Sequence, residues 1–201
     1  MSKRKLRLPQ ILPYILIVAG IIGYIGTSML LYDKLQLLNN PHYIPSCNLN
    51  PVLSCGSVIT SKQGERFSLP TDFIGFGAFT VLAVTGVVLL AGAKLKRWYW
   101  LGLEIGSIFG VISVMGLFIE SVYFIHALCP VCMTIWVITI TTFWYVTLYN
   151  IDQGHIRLPK GKSQSVYAWI RRHHLDLLLT WFLIIALLIL KHFWYYYGRY
   201  F

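Results

Sequence analysis

Charge is what this sequence has least of. Only 12% of its 201 residues are Asp, Glu, Lys or Arg, against 57% hydrophobic, which leaves too little polar surface for a soluble domain. Five apolar runs, near residues 12–32, 73–92, 99–125, 131–149 and 175–194, account for the excess. A helix needs about 20 apolar residues to cross a hydrocarbon core of ~30 Å, and each run comes close enough. The chain therefore reads as a polytopic membrane protein. With seven acidic residues against 17 basic ones the formal net charge is +10, but the basic residues lie in short clusters between the apolar runs. Orientation signals sit in such places, so nucleic acid is not an expected partner.

Other absences narrow the chemistry. No small-residue cleavage site follows the basic start Met1–Arg7, and the next apolar run continues to about Leu31, longer than a signal peptide core. That run is expected to stay as the first spanning helix. No cysteine is left over: Cys47 and Cys55 form one close pair, Cys129 and Cys132 the other. No histidine follows Cys132, which speaks against c-type haem attachment. Cys129-Pro-Val-Cys132 alone leaves a redox pair and half of a structural zinc site about even, and buried apolar cysteines are the plain alternative. Cys-x7-Cys is not a usual zinc half-site, so no metal is expected. If Pro130 opens a helix, Cys132 falls in its first turn, the setting of a reactive sulfur.

Counting lysines and arginines by side for five spans puts twelve with the N-terminus and five opposite, so the N-terminus is expected in the cytoplasm. All four cysteines then share the outer, oxidising side, where disulfides persist. The first 149 residues form the catalytic unit of this reading, with an outer loop over 33–72 whose apolar residues, Ile44 and Val52 among them, fold back as a lid. Residues 150–174 read as a cytoplasmic connector, and 175–201 as a fifth helix with a short aromatic outer tail. Gly102, Gly106 and Gly110, at four-residue spacing, suggest a helix-packing ridge. Two acids lie within the third run: Glu104 near its cytoplasmic end, where it reaches the interface, and Glu120 near the outer end. Glu120 and His126 are candidates for proton handling beside the cysteines. Trp136 follows Cys132 at i+4 on one helix face and can wall a pocket for a planar ring.

Cys47-Asn-Leu-Asn-Pro-Val-Leu-Ser-Cys55-Gly-Ser-Val58-Ile-Thr-Ser61, with Pro70, Gly75 and then Cys129-Pro-Val-Cys132, resembles the vitamin K epoxide reductase family, its bacterial branch in particular, over about residues 12–149. The resemblance implies an all-α integral membrane fold: four helices around a quinone, capped by the loop between the first two, with the fifth helix added. It implies an enzyme of a bacterial inner membrane that reoxidises a thioredoxin-like disulfide-forming partner and passes the electrons to a membrane quinone, menaquinone or ubiquinone. Under it, Cys47 meets the partner, Cys55 passes electrons to Cys129, Cys132 faces the quinone, and Ser61 is the serine near the active site. The asparagine that bonds the quinone in the animal enzymes aligns with Thr71, and a tyrosine one turn past the inner pair with Trp136. Many bacterial relatives carry a thioredoxin domain after the fifth helix; here that partner is expected as a separate protein. Competing readings are a thiol-driven quinone or quinone-epoxide reductase and a membrane protein binding a soft metal.

Overall fold

The computed structural model describes residues 8–40, 42–50, 52–60, 62–156 and 162–194, with the backbone alone at 62–72 and 162–163. The elements are α1 (Leu8–Asn39), the short α2 (Cys55–Ile59), α3 (Lys62–Leu90) and α4 (Arg97–Ile119). A π-helical turn over Glu120–Ile125 prolongs α4, and α5 (Pro130–Asp152), α6 (Lys162–Arg172) and α7 (His174–His192) complete the chain. Among the described residues, five stretches are long and apolar enough to cross a membrane: Leu8–Asn39, Phe73–Leu90, Arg97–Ile125, Pro130–Asp152 and His174–His192. The protein is an all-α, multi-span membrane protein, as its composition requires.

Two helices run past their apolar runs. α1 continues through Asp33 and Lys34 to Asn39, and α3 starts at Lys62, so the segment joining them covers 40–61 and not 33–72. Asp33-Lys-Leu-Gln-Leu-Leu contains neither glycine nor proline, so nothing local stops the helix until Pro41. The stretch 150–174 is more than a connector, because it holds α6, whose Arg171 pairs with Asp152 at the end of α5. Gly92 and Gly154, at φ +84° and +71°, close α3 and α5 in the left-handed conformation that glycine adopts without steric cost.

α1 packs along α3 on one side and α5 on the other, α5 packs on α4, and α7 leans on α5 and the π turn. Leu8, Leu12 and Leu16 of α1 meet Trp100 of α4 and Ile140 and Val146 of α5 in the main core. The closest backbone approach lies between α1 and α3. A Cβ on Gly20 would stand 2.5 Å from Ala83 N, and one on Gly86 2.7 Å from Pro13 O. Small residues allow such seams in lipid, where dispersion contacts replace the hydrophobic effect between helices. Of the ridge expected at Gly102, Gly106 and Gly110, Gly110 packs on α5, its Cβ position 3.2 Å from Thr139 Cγ2, whereas at Gly102 and Gly106 a Cβ would meet nothing within 4 Å. Glu104 does not reach the interface either. It is buried, accepting hydrogen bonds from Thr147 Oγ1 at 2.7 Å and Asn150 Nδ2 at 2.8 Å, which ties α4 to α5.

Gly20→Val should force α1 and α3 apart and cost about 1–3 kcal/mol, read as earlier thermal unfolding in detergent. Gly106→Ala, with open space at its Cβ, should leave the transition where it is or raise it slightly.

Candidate functional site: two cysteine pairs over a cavity

Proline fixes the inner pair. The residue before a proline is pushed out of the helical region, and Cys129 is extended at φ −101°, ψ 117°, while Pro130, lacking an N–H, opens α5. Cys129 is therefore the N-cap and Cys132 the third residue of the helix. The Cys129 sulfur, not that of Cys132, takes the capping position, accepting the Cys132 backbone N–H at 3.3 Å. A hydrogen bond from the Cys132 side chain is the largest influence on Cys129 and holds its pKa below that of an ordinary thiol. Burial opposes this, the N–H groups of Cys132 and Val131 reinforce it, and the charge of Asp33 works against it.

The outer pair is placed by asparagines. Asn48 Oδ1 accepts the Gly56 N–H at 2.9 Å, and Asn50 Oδ1 those of Val52 and Leu53 at 3.0 and 2.7 Å, which curls the loop over itself. Ser54 then caps α2 by accepting the Ser57 N–H, so Cys55 begins a helical turn. The loop is stitched to the corner between the π turn and α5. Leu128 N–H donates to Val52 O at 2.7 Å, and Ser54 N–H to Leu128 O at 2.9 Å. Val52, Leu128 and Trp136 share one buried cluster.

Cys47 and Cys55 are joined in a disulfide, with Cα atoms 5.7 Å apart, and Cys129 and Cys132 stand as thiols. Cys129 Sγ lies 3.1 Å from Cys55 Sγ. That sulfur belongs to the bonded pair, so a thiol with lowered pKa touches one end of a disulfide, the arrangement that thiol exchange requires. Cys55 is fully buried and Cys129 is 1% exposed, whereas Cys47, also buried, keeps 8% of its surface exposed.

Below the inner pair a cavity of about 540 Å³ opens among α1, α3, α4 and α5. Cys132, Trp136, Thr139, Thr142 and, from α4, Gly102 and Gly106 are among its walls. Here the α4 glycines do their work, as a wall without side chains. Trp136 Nε1 and Thr142 Oγ1 are buried with no hydrogen-bond partner among the described residues. Neither atom is exposed to the cavity in this state; a buried unpaired donor costs about 1–3 kcal/mol, which a partner with an acceptor oxygen would relieve. Exposed Ile74, Val81 and Phe109 also line the cavity, which thereby opens sideways to lipid between α3 and α4. A shallower groove of about 310 Å³ on the α1–α5 face, lined by Tyr14, Val18 and Ile138, holds no cysteine.

The fold thus brings together four expected residues, Cys47, Cys55, Cys129 and Cys132, with Trp136 on the cavity wall. Ser61 lies outside the described residues, as do the side chains of Thr71 and Asp72. Glu120 opens the π turn, and His126 closes it with φ +57° and an exposed side chain. The contacts of His126 are with Phe124 O at 3.3 Å and the ring of His192 at 5.1 Å. Ile44, expected to fold inward, is 76% exposed near Cys47. Two participants escaped the sequence reading. Phe193, at the end of α7, is fully buried in the cluster with Val52, Leu128 and Trp136, so the fifth helix buttresses the corner. Asp33, which looked like the first polar residue after a span, is buried with Oδ2 3.7 Å from Cys47 Sγ.

A search of the curated proteins finds no match. The family described as "Vitamin K epoxide reductase family" matches residues 14–147, from the second turn of α1 to near the end of α5, and so takes in both cysteine pairs, the loop and the cavity. The sulfur geometry and the matched span lead to one conclusion: this chain belongs to the vitamin K epoxide reductase family, membrane oxidoreductases of thiols and quinones.

Proposed function

We propose that this protein takes electrons from a thioredoxin-like disulfide-forming partner outside the cytoplasm and passes them, through its two cysteine pairs, to a membrane quinone. The contact of 3.1 Å between Cys129 Sγ and the disulfide sulfur of Cys55 carries this reading. A soluble protein cannot reach a pair buried over a cavity, so a second pair must mediate.

In this relay a partner thiolate attacks Cys47, forming a mixed disulfide and releasing Cys55 as thiolate. Cys55 attacks Cys129 of an oxidised inner pair, and Cys132 leaves. The partner's second thiol frees Cys47, which attacks Cys55 and expels Cys129 as thiolate. Two electrons have then moved inward, and the state reached has a loop disulfide above two inner thiols, the state described here. Cys129 leaves readily because the head of α5 stabilises its thiolate. A strongly oxidising dithiol partner sits near about −120 mV, so the final acceptor must lie above that value.

A quinone accepts two electrons and two protons. Trp136 and Thr142, on the cavity wall, carry unpartnered donors suited to its oxygens, the Cys132 sulfur is beside it, and the lateral gap between α3 and α4 admits an apolar tail. Whether menaquinone or ubiquinone, the shared ring chemistry is what these walls fit. Exposed Ile44 and Leu49 flank Cys47 in sequence and offer the partner an apolar footing. Twelve basic residues against five support an N-terminus in the cytoplasm with the cysteines outside, in a bacterial inner membrane.

With purified protein in quinone-containing liposomes, Cys129→Ser and Cys132→Ser should abolish oxidation of both a reduced thioredoxin and dithiothreitol. Cys47→Ser should lose the first and keep most of the second, because a small dithiol reaches the inner pair directly. Equal loss with both reductants would place Cys47 elsewhere in the sequence of events. Trp136→Phe keeps the ring and removes the N–H. The quinone KM should rise about two- to twelve-fold, the value of one hydrogen bond of about 0.5–1.5 kcal/mol, with kcat little changed.

A further inference from the structure

Asp33 lies near the end of α1 with 2% of its surface exposed. Its Oδ1 accepts a hydrogen bond from Tyr43 Oη at 3.0 Å, and its Oδ2 stands 3.7 Å from Cys47 Sγ. A buried carboxylate is costly, and where one is kept in a membrane protein a functional role is the default reading. Among the described side chains, the charged and titratable groups around it are Lys34 beside it on α1, Tyr43 and Cys47 from the loop, and Cys129 at the head of α5. Tyr43 is held above the ordinary phenol pKa, chiefly by its hydrogen bond to Asp33, and so stays a donor that orients the carboxylate. The second oxygen is left turned to sulfur.

We propose that Asp33 is the proton acceptor for Cys47 in the step that closes the loop disulfide, an assignment resting on the relay described above. Cys47 leaves the partner as a thiolate and takes a proton from solvent at neutral pH, below the ordinary thiol pKa of about 8.5, and the thiol form is a poor nucleophile. As the Cys47 S–H proton passes to Asp33 Oδ2, the Cys47 sulfur bonds to Cys55, the Cys55–Cys129 bond breaks, and Cys129 leaves with the electron pair. One thiol and one disulfide give one disulfide and one thiolate, with the proton on the carboxyl group. The charges also agree. Asp33 loses its negative charge as Cys129 gains one, and the field that opposes a Cys129 thiolate disappears when that thiolate forms.

Asp33→Asn keeps the shape and can still accept from Tyr43. In quinone liposomes with reduced thioredoxin as donor, it should lower turnover at least ten-fold at pH 7. The deficit should shrink as pH rises toward the ordinary thiol pKa of about 8.5, where Cys47 ionises unaided. Dithiothreitol, which bypasses Cys47, should be oxidised at nearly the wild-type rate. Acid-quenched peptide mapping during thioredoxin turnover should show a Cys55–Cys129 bridge accumulating in Asp33→Asn, beside an unbonded Cys47 that alkylates. Unchanged turnover would overturn the assignment, as would an equal, pH-independent loss with both reductants and no accumulated bridge. Wild-type protein inert toward both reductants would overturn the oxidase reading and this role with it, which separates the two failures.

Discussion

Two backbone hydrogen bonds, Leu128 to Val52 and Ser54 to Leu128, hold a loop against the head of a helix and bring the two cysteine pairs together. Ser54 precedes Cys55 and Leu128 precedes Cys129, so pairing the neighbours sets the two sulfurs 3.1 Å apart. Each bond contributes only about 0.5–1.5 kcal/mol net. Their registry matters more than their strength, because a slip by one residue would turn Cys55 away from Cys129. Val52 and Leu128 are buried beneath the pairing, and Phe193 of α7 fills the space behind them. The fifth helix, which the family match does not include, thereby acts on the site at a distance from any cysteine.

The two ends of the relay make opposite demands on solvent. In the proposed relay a partner must reach Cys47, which keeps 8% of its surface near exposed Ile44 and Leu49, whereas a quinone site must be dry and open to lipid. Cys129 stands at the boundary, where the Cys132 side chain, with the N–H groups at the head of α5, stabilises the thiolate. The cavity below is built by omission: Gly102 and Gly106 withdraw side chains from one wall, while Trp136 and Thr142 stand on another. Closer packing would remove the space, as the α1–α3 seam at Gly20 and Gly86 shows.

Much of this was legible in the sequence, for physical reasons. Length and hydropathy fix membrane spans because the bilayer sets the length. Cys129-Pro130 fixes the helix start because a residue before proline avoids the helical region. What was not legible depended on rotation about helix axes. Glycines four apart look alike whether they face a neighbouring helix or a void, so Gly102 and Gly106 read as a seam while the seam lies at Gly20 and Gly86. Proline also moved the favoured sulfur, since counting Cys132 into the first turn overlooked the cap itself, where Cys129 accepts the N–H of Cys132. Asp33 read as the end of a span because helix propensity beyond an apolar run gives no signal of burial. Glu104 read as interfacial because its partners, Thr147 and Asn150, lie over forty residues away.

The central claim is that electrons cross from loop to membrane between Cys55 and Cys129. Cys47→Ser removes the thiol that resolves the bond between the pairs, so a membrane preparation of this variant oxidised through its quinone and quenched with iodoacetamide should retain it. Peptide mapping without reduction is expected to recover Cys55 joined to Cys129, with Cys132 alkylated. A dominant link from Cys55 to Cys132, or none between the pairs, would contradict the account.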